Sequence, residues 1–133
     1  MQASQVESDD PMTKWSDPGG FIPHGFCLLW DPDLMVAVVL SNALIALAYM
    51  VITAALVLKA AGPAAAIPRW MYWAYAAFIF CCGVSHVLDD VTLWFPVYRL
   101  QAAVLAVTGM VSLLAAVLPV SIWLTHAAGR RRP

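Results

Sequence analysis

A cysteine and a histidine four residues apart form the most chemically distinctive pair in this sequence. Cys82 and His86 fall within an apolar stretch, and ionisable side chains in such stretches are rare and mark functional sites. On an α-helix, this spacing puts both side chains on one face with Cβ atoms about 5–6 Å apart, so one ion can contact both. Thiolate and imidazole groups suit soft metals such as Cu(I) or zinc. Spacing alone leaves a second interpretation open, in which Cys82 is simply buried and His86 reaches the membrane interface.

The number of ligands and their neighbours narrow the choice of metal. A structural zinc site needs four protein ligands, whereas Cu(I) accepts fewer, so Cys82 and His86 predict a copper site. Asp89 lies nearly one turn beyond His86 and is predicted to orient the imidazole from the second coordination shell. Gly83 has no side chain and is expected to let another helix approach the site closely.

Two other groups of polar residues lie before the metal pair. Asn42 and Tyr49 are seven residues apart, and Thr53 is one turn further on. This polar stripe is expected to face other helices rather than lipid, where it would form hydrogen bonds between helices. His24 and Cys27 are three residues apart. They are candidates for a second metal pair, an intermolecular disulfide or a local cap, and their spacing does not decide between these roles.

The elements that position these residues are three long apolar segments. Hydrophobic residues make up 62% of the 133 residues and charged residues only 11%, against about 25% charged in soluble domains. A helix of about 20 apolar residues crosses a membrane core. The sequence therefore predicts an all-α integral membrane protein, with the second span ending at Asp89 and Asp90. The predicted transmembrane helices cover about residues 34–58, 70–88 and 98–124.

The charges indicate how the chain is oriented and divided. The loop after the first span holds Lys59 and Arg69 without acids, and the last residues include three arginines. The positive-inside rule therefore puts the N-terminus outside and the C-terminus in the cytoplasm. We expect a disordered polar tail over residues 1–20, a membrane domain over 21–124 and a short basic tail over 125–133. The net charge of −1 argues against nucleic acid as a partner.

Four segments together resemble the sensor domain of ethylene receptors, in particular its bacterial relatives in membrane histidine kinases. The most specific segment is AAFIFCCGVSH, which contains the element CG-x-x-H. The resemblance covers residues 21–124 and is carried by PHGFCLLW (23–30), SNALIALAY (41–49), AAFIFCCGVSH (76–86) and a stretch within 94–114 that runs from WFPVY to TGMVSL.

The resemblance implies a function as well as a fold. It implies three membrane helices that work as a homodimer in the bacterial inner membrane. It also implies that Cys82 and His86 bind Cu(I), and that the copper binds a small olefin such as ethylene. The residues implied to line the ligand pocket are Asn42, Tyr49, Ile52 and Ile79.

The sequence departs from this family in three respects. Asn42 stands where the family has aspartate, and Leu105 stands where many members have lysine. Because an acid and a base are missing together, the fold is expected to tolerate the change. Family members also continue into GAF and histidine-kinase domains, whereas this sequence ends at Pro133. We therefore expect a separate signalling or complex partner to read out the bound ligand.

Two other functions fit the same residues. The chain is an accessory or structural subunit of a membrane complex if it has lost ligand binding. It is a copper-handling protein if His24 and Cys27 pass the ion to Cys82 and His86. The sequence contains no acid–base pair, nucleophile arrangement or open three-ligand zinc site, so we do not expect an enzyme.

Overall fold

The computed structural model describes residues 20–63 and 67–129, with side chains as far as Trp123. This part of the chain contains helices and no strand, which confirms the predicted all-α fold. Three helices are long and apolar enough to cross a membrane, with spans Pro32–Ala61, Arg69–Trp94 and Tyr98–Trp123. Residues 1–19 and 130–133 of the predicted tails lie outside the described residues. The elements are a 3₁₀ turn at His24–Phe26 and the helices α1 (Pro32–Ala61), α2 (Arg69–Trp94) and α3 (Tyr98–Gly129).

The first helix begins at a strong capping signal. The Asp31 side chain accepts hydrogen bonds from the backbone N–H groups of Asp33 and Leu34 at 3.1 and 3.0 Å, which satisfies two of the free donors at a helix start. Pro32 occupies the first helical position, where its missing N–H costs nothing. The helix thus starts at Pro32, two residues before the predicted span.

The predicted end of the second span at Asp89 and Asp90 is wrong, because α2 continues to Trp94. Both carboxylates stay within the helix since each accepts a hydrogen bond from a neighbouring helix, as described below. The last turn is anchored by burial: the side chain of Leu93 is only 1% exposed. Paired acids therefore mark a contact between helices here rather than a helix end.

The middle helix α2 packs against both α1 and α3, and its backbone lies close to α1 at Gly83. A Cβ atom added at Gly83 would lie 3.3 Å from Tyr49 Cβ and 3.7 Å from the Ala46 carbonyl oxygen, and it would overlap Met50 Cε. Without a hydrophobic force between helices in lipid, such small residues allow the close packing that holds helices together. The expectation that Gly83 admits a neighbouring helix is confirmed.

Replacing Gly83 by leucine is expected to lower the free energy of unfolding by about 1–3 kcal/mol, the usual cost of overpacking a tight contact. Thermal unfolding in detergent measures the effect. Gly109→Leu is the matched control, because a Cβ at Gly109 meets no atom within 4 Å. Equal melting temperatures for the two variants would contradict this packing.

The segment before α1 folds over the end of α2. Gly25 is buried, and a Cβ added there would lie 2.8 Å from the Leu93 carbonyl oxygen and 2.9 Å from the Trp30 ring. Leu29 and Trp30 both adopt left-handed backbone conformations, with φ of 52° and 53°, at about 1–2 kcal/mol each. The Tyr98 hydroxyl donates to the Ile22 carbonyl oxygen at 2.9 Å. Residues of the segment before α1, of α2 and of α3 thus pack together at this end of the bundle.

Candidate metal centre

Cys82 and His86 lie in the second half of α2, where both side chains are half-buried. Their positions, one turn apart on a continuous helix, put them on one face. The imidazole of His86 is turned toward α1, because its ring lies against α1 side chains. The helical placement that the metal prediction requires is therefore present.

A hydrogen-bonded chain of three side chains holds His86. Asn42 Oδ1 on α1 lies 3.0 Å from His86 Nδ1. The Nδ2 group of the same amide donates to Asp90 Oδ1 at 2.9 Å. Asn42 thus bridges two residues of α2 that are four positions apart. Hydrogen bonds of this kind fix the ring orientation of histidines that bind metals.

Tyr49 forms the other contact of the imidazole. The rings of Tyr49 and His86 have centroids 5.8 Å apart and meet edge to face at 61°, the arrangement that aromatic quadrupoles favour. Thr53, one turn further on, is half-buried, and its Oγ1 atom is enclosed without a hydrogen-bond partner among the described residues. For Asn42 and Tyr49, the prediction that the polar stripe of α1 faces another helix is confirmed.

The remaining two residues of the implied ligand pocket differ in their surroundings. Ile79 is half-buried on α2, nearly one turn before Cys82. Ile52 is 44% exposed, so within one protomer it does not enclose a pocket. Any pocket that uses Ile52 needs lipid or a second chain on its outer side.

Asp89 has a different partner from the one predicted. Its Oδ1 accepts a hydrogen bond from Gln101 Nε2 on α3 at 2.6 Å, whereas the Nδ1 atom of His86 is bonded to Asn42. The two adjacent carboxylates therefore point to opposite neighbours, Asp89 to α3 and Asp90 to α1. Sequence reasoning missed the role of Asp90, although Asp90 lies four residues after His86, whereas Asp89 lies three residues after it. The face shared by His86 and Asp90 was the available signal.

His24 and Cys27 belong to the 3₁₀ turn and its C-cap, and both are exposed. Their one direct link is a backbone hydrogen bond of 2.9 Å from the Cys27 N–H to the His24 carbonyl oxygen. The turn packs against α2 near Leu93, seven residues or about 10 Å of helix from His86. The two candidate pairs are thus at the same end of the bundle but at different depths.

The donor set fits a soft ion of low coordination number. Across the described segments, no group of three or more His, Cys, Asp or Glu side chains comes together as a metal cage. A metal ion held by Cys82 and His86 would have two ligands from one protomer, fewer than a closed zinc site requires. Sulfur and imidazole nitrogen together suit Cu(I).

The two positions that depart from the resembled family lie on different helices and have different surroundings. Asn42 faces α2 through its bonds to His86 and Asp90. Leu105 lies on α3 with 51% of its side chain exposed. Position 42 itself carries no acid, but Asp90 supplies a carboxylate one hydrogen bond away from it. Leu105 supplies no positive charge in place of the lysine.

Comparison with known proteins gives one family. A family model described as Ethylene receptor 1-like, N-terminal domain matches residues 33–124. This range includes α1 from its second residue, all of α2 and most of α3. Neither the curated proteins nor the solved structures gave a match.

Proposed function

Because the chain belongs to the family of ethylene receptor 1-like N-terminal domains, we propose that it binds Cu(I) through Cys82 and His86 and uses the ion to bind a small apolar ligand such as ethylene. The observation that carries the proposal is the held imidazole of His86. Its Nδ1 atom lies 3.0 Å from Asn42 Oδ1, and a cysteine precedes it by one turn on the same face. A fixed imidazole beside a thiol is a soft donor pair.

The residues around the pair suit an apolar ligand. When bound, Cu(I) supplies filled d orbitals that donate electron density into the π* orbital of an alkene. The Tyr49 ring lies edge to face against the imidazole, and the two helices that carry the site are apolar enough to cross a membrane. Small ligands without charge or hydrogen-bonding groups partition into such surroundings, whereas water and anions do not.

The proposal extends to assembly and topology. Each protomer supplies two of the ligands, and the implied pocket residue Ile52 is exposed on α1, so a homodimer completes the site. The N-terminus faces outside and the C-terminus faces the cytoplasm of a bacterial inner membrane, as the distribution of basic residues indicates. A separate signalling or complex partner reads out the ligand. The chain acts as a receptor in signal transduction, not as an enzyme.

Copper content of the purified protein tests the proposal. After loading with Cu(I) and removal of excess metal, we expect the wild type to retain copper and Cys82→Ser to lose nearly all of it, because the soft sulfur ligand is gone. Cys81→Ser is the matched control, since it removes the adjacent thiol from the same helix, and it should retain the wild-type amount. Negligible copper in all three proteins would contradict the proposal and favour the accessory-subunit function. Equal copper in all three would also contradict the assigned site.

A further inference from the structure

The structure assigns a positioning role to Asp90: acting through Asn42, it fixes the tautomer of His86 so that Nε2 carries the free lone pair. The three side chains form one continuous chain of hydrogen bonds, 2.9 Å from Asn42 Nδ2 to Asp90 Oδ1 and 3.0 Å from Asn42 Oδ1 to His86 Nδ1. We call it the Asp90–Asn42–His86 relay. The inference rests on the proposed function only in naming copper as the ion that benefits.

The first step of the relay sets the amide of Asn42. An ionised carboxylate has acceptors only, so the group that faces Asp90 must be the amide NH₂. The amide has one oxygen and one nitrogen, so its oxygen must then face the other way, toward His86. The orientation of Asn42 is therefore dictated by the carboxylate and not by the histidine.

The second step sets the imidazole. The carbonyl oxygen of Asn42 can only accept a hydrogen bond, so His86 Nδ1 must carry the proton that bonds to it. A neutral imidazole has one N–H group, which leaves Nε2 unprotonated. With Nδ1 occupied, Nε2 is the ring nitrogen that remains for a metal or another ligand.

The surroundings explain why one tautomer can be held here. All three side chains are half-buried, and hydrogen bonds in a medium of low dielectric are stronger than in water. Asp90 lies four residues from the end of α2, about 6 Å of helix, so its carboxylate is nearer the surface than His86. Asn42 transmits the effect of that charge to the imidazole, about one helical turn away along α2.

Nuclear magnetic resonance of the metal-free protein, labelled with ¹⁵N-histidine in detergent micelles, tests the relay. His86 is assigned by comparison with His86→Gln, and its ring nitrogens report the tautomer directly. We expect a single tautomer protonated at Nδ1 in the wild type. Asp90→Asn should give a mixture of tautomers, since an amide at position 90 both donates and accepts and no longer dictates the orientation of Asn42.

Two further variants separate the relay from a general effect on folding. Asp89→Asn changes the neighbouring carboxylate, which bonds to Gln101 on the opposite side, and should leave the tautomer unchanged. The exchange Asn42→Asp with Asp90→Asn keeps one carboxylate and one amide. It should keep Nδ1 protonated, because the carboxylate at position 42 accepts from both neighbours.

The outcomes distinguish the relay from the copper proposal. A wild-type His86 protonated at Nε2, or an Asp90→Asn variant with the wild-type tautomer, would overturn the relay whether or not copper binds. If His86 is a ligand, Asp90→Asn should also weaken copper binding about 10–100-fold, as loss of such outer hydrogen bonds usually does. A changed tautomer with unchanged copper affinity would support the relay and contradict the proposed copper ligand.

Discussion

Replacing Asn42 by aspartate is expected to lower the free energy of unfolding by about 3 kcal/mol. In the wild type, the Asn42 amide donates a hydrogen bond to Asp90 in a half-buried contact. In the variant, two carboxylates face each other there, and an ionised carboxylate can only accept hydrogen bonds. The change removes a hydrogen bond to a charged group, which contributes about 1.5–3 kcal/mol, and adds repulsion between like charges. Thermal or detergent-induced unfolding near neutral pH measures the loss.

A second substitution at Asp90 is the decisive control for this prediction. Adding Asp90→Asn to Asn42→Asp restores one donor and one acceptor across the same pair of helices, so most of the lost stability should return. Adding Asp89→Asn should return little, because that carboxylate bonds to α3 instead. A single Asn42→Asp variant as stable as the wild type would show that the two side chains do not meet as described.

Replacing Leu105 by lysine is expected to cost about 1–3 kcal/mol of membrane insertion or stability. The Leu105 side chain is 51% exposed, and it lies seven residues into α3, about 10 Å from the helix start. A lysine there faces lipid between the helix end and the helix centre. Charged residues cost about 2.5–3.5 kcal/mol at the centre on insertion scales and less toward the interface, where a lysine can extend to water. The fraction of chains inserted into membranes, followed by a glycosylation reporter, measures the effect.

Leu100→Lys is the matched control, with a leucine that is 41% exposed only two residues from the start of the same helix. A lysine there can extend to the interface, so insertion should stay near the wild-type level. If Leu105→Lys inserted as well as Leu100→Lys, the lipid-facing position of Leu105 would be contradicted. In that case an acidic side chain, such as one from a second copy of the chain, would have to pair with the lysine on this face of α3.

Much of the fold follows from the sequence because local signals determine it. The apolar lengths give three helices, and α3 begins at Tyr98 as predicted. The continuation of α2 past Asp89 and Asp90 could not be read locally. Two adjacent acids usually prefer water, and only their partners on α1 and α3 reveal why they remain in the helix.

The spacing in the sequence predicts which residues share a helix face at the candidate site, but it does not predict how they connect to residues of other helices. The spacing of Cys82 and His86 puts them on one face, and Asn42 and Tyr49 share a face of α1, so both sets were identified. Which residue of α1 faces which residue of α2 depends on the packing at Gly83, a tertiary contact. For that reason Asp89 was expected beside His86, whereas the structure gives the imidazole Asn42 and places Asp90 behind it.

X-ray absorption of the Cu(I)-loaded protein tests the central claim most directly, because it reports the atoms bound to the metal. We predict sulfur and nitrogen in the first shell of the wild type and of Cys81→Ser, and loss of the sulfur contribution in Cys82→Ser. Residual copper in His86→Gln should likewise lack the imidazole signal. A wild-type shell without sulfur or without imidazole nitrogen, or a sulfur signal that persists in Cys82→Ser, would contradict a copper site formed by Cys82 and His86.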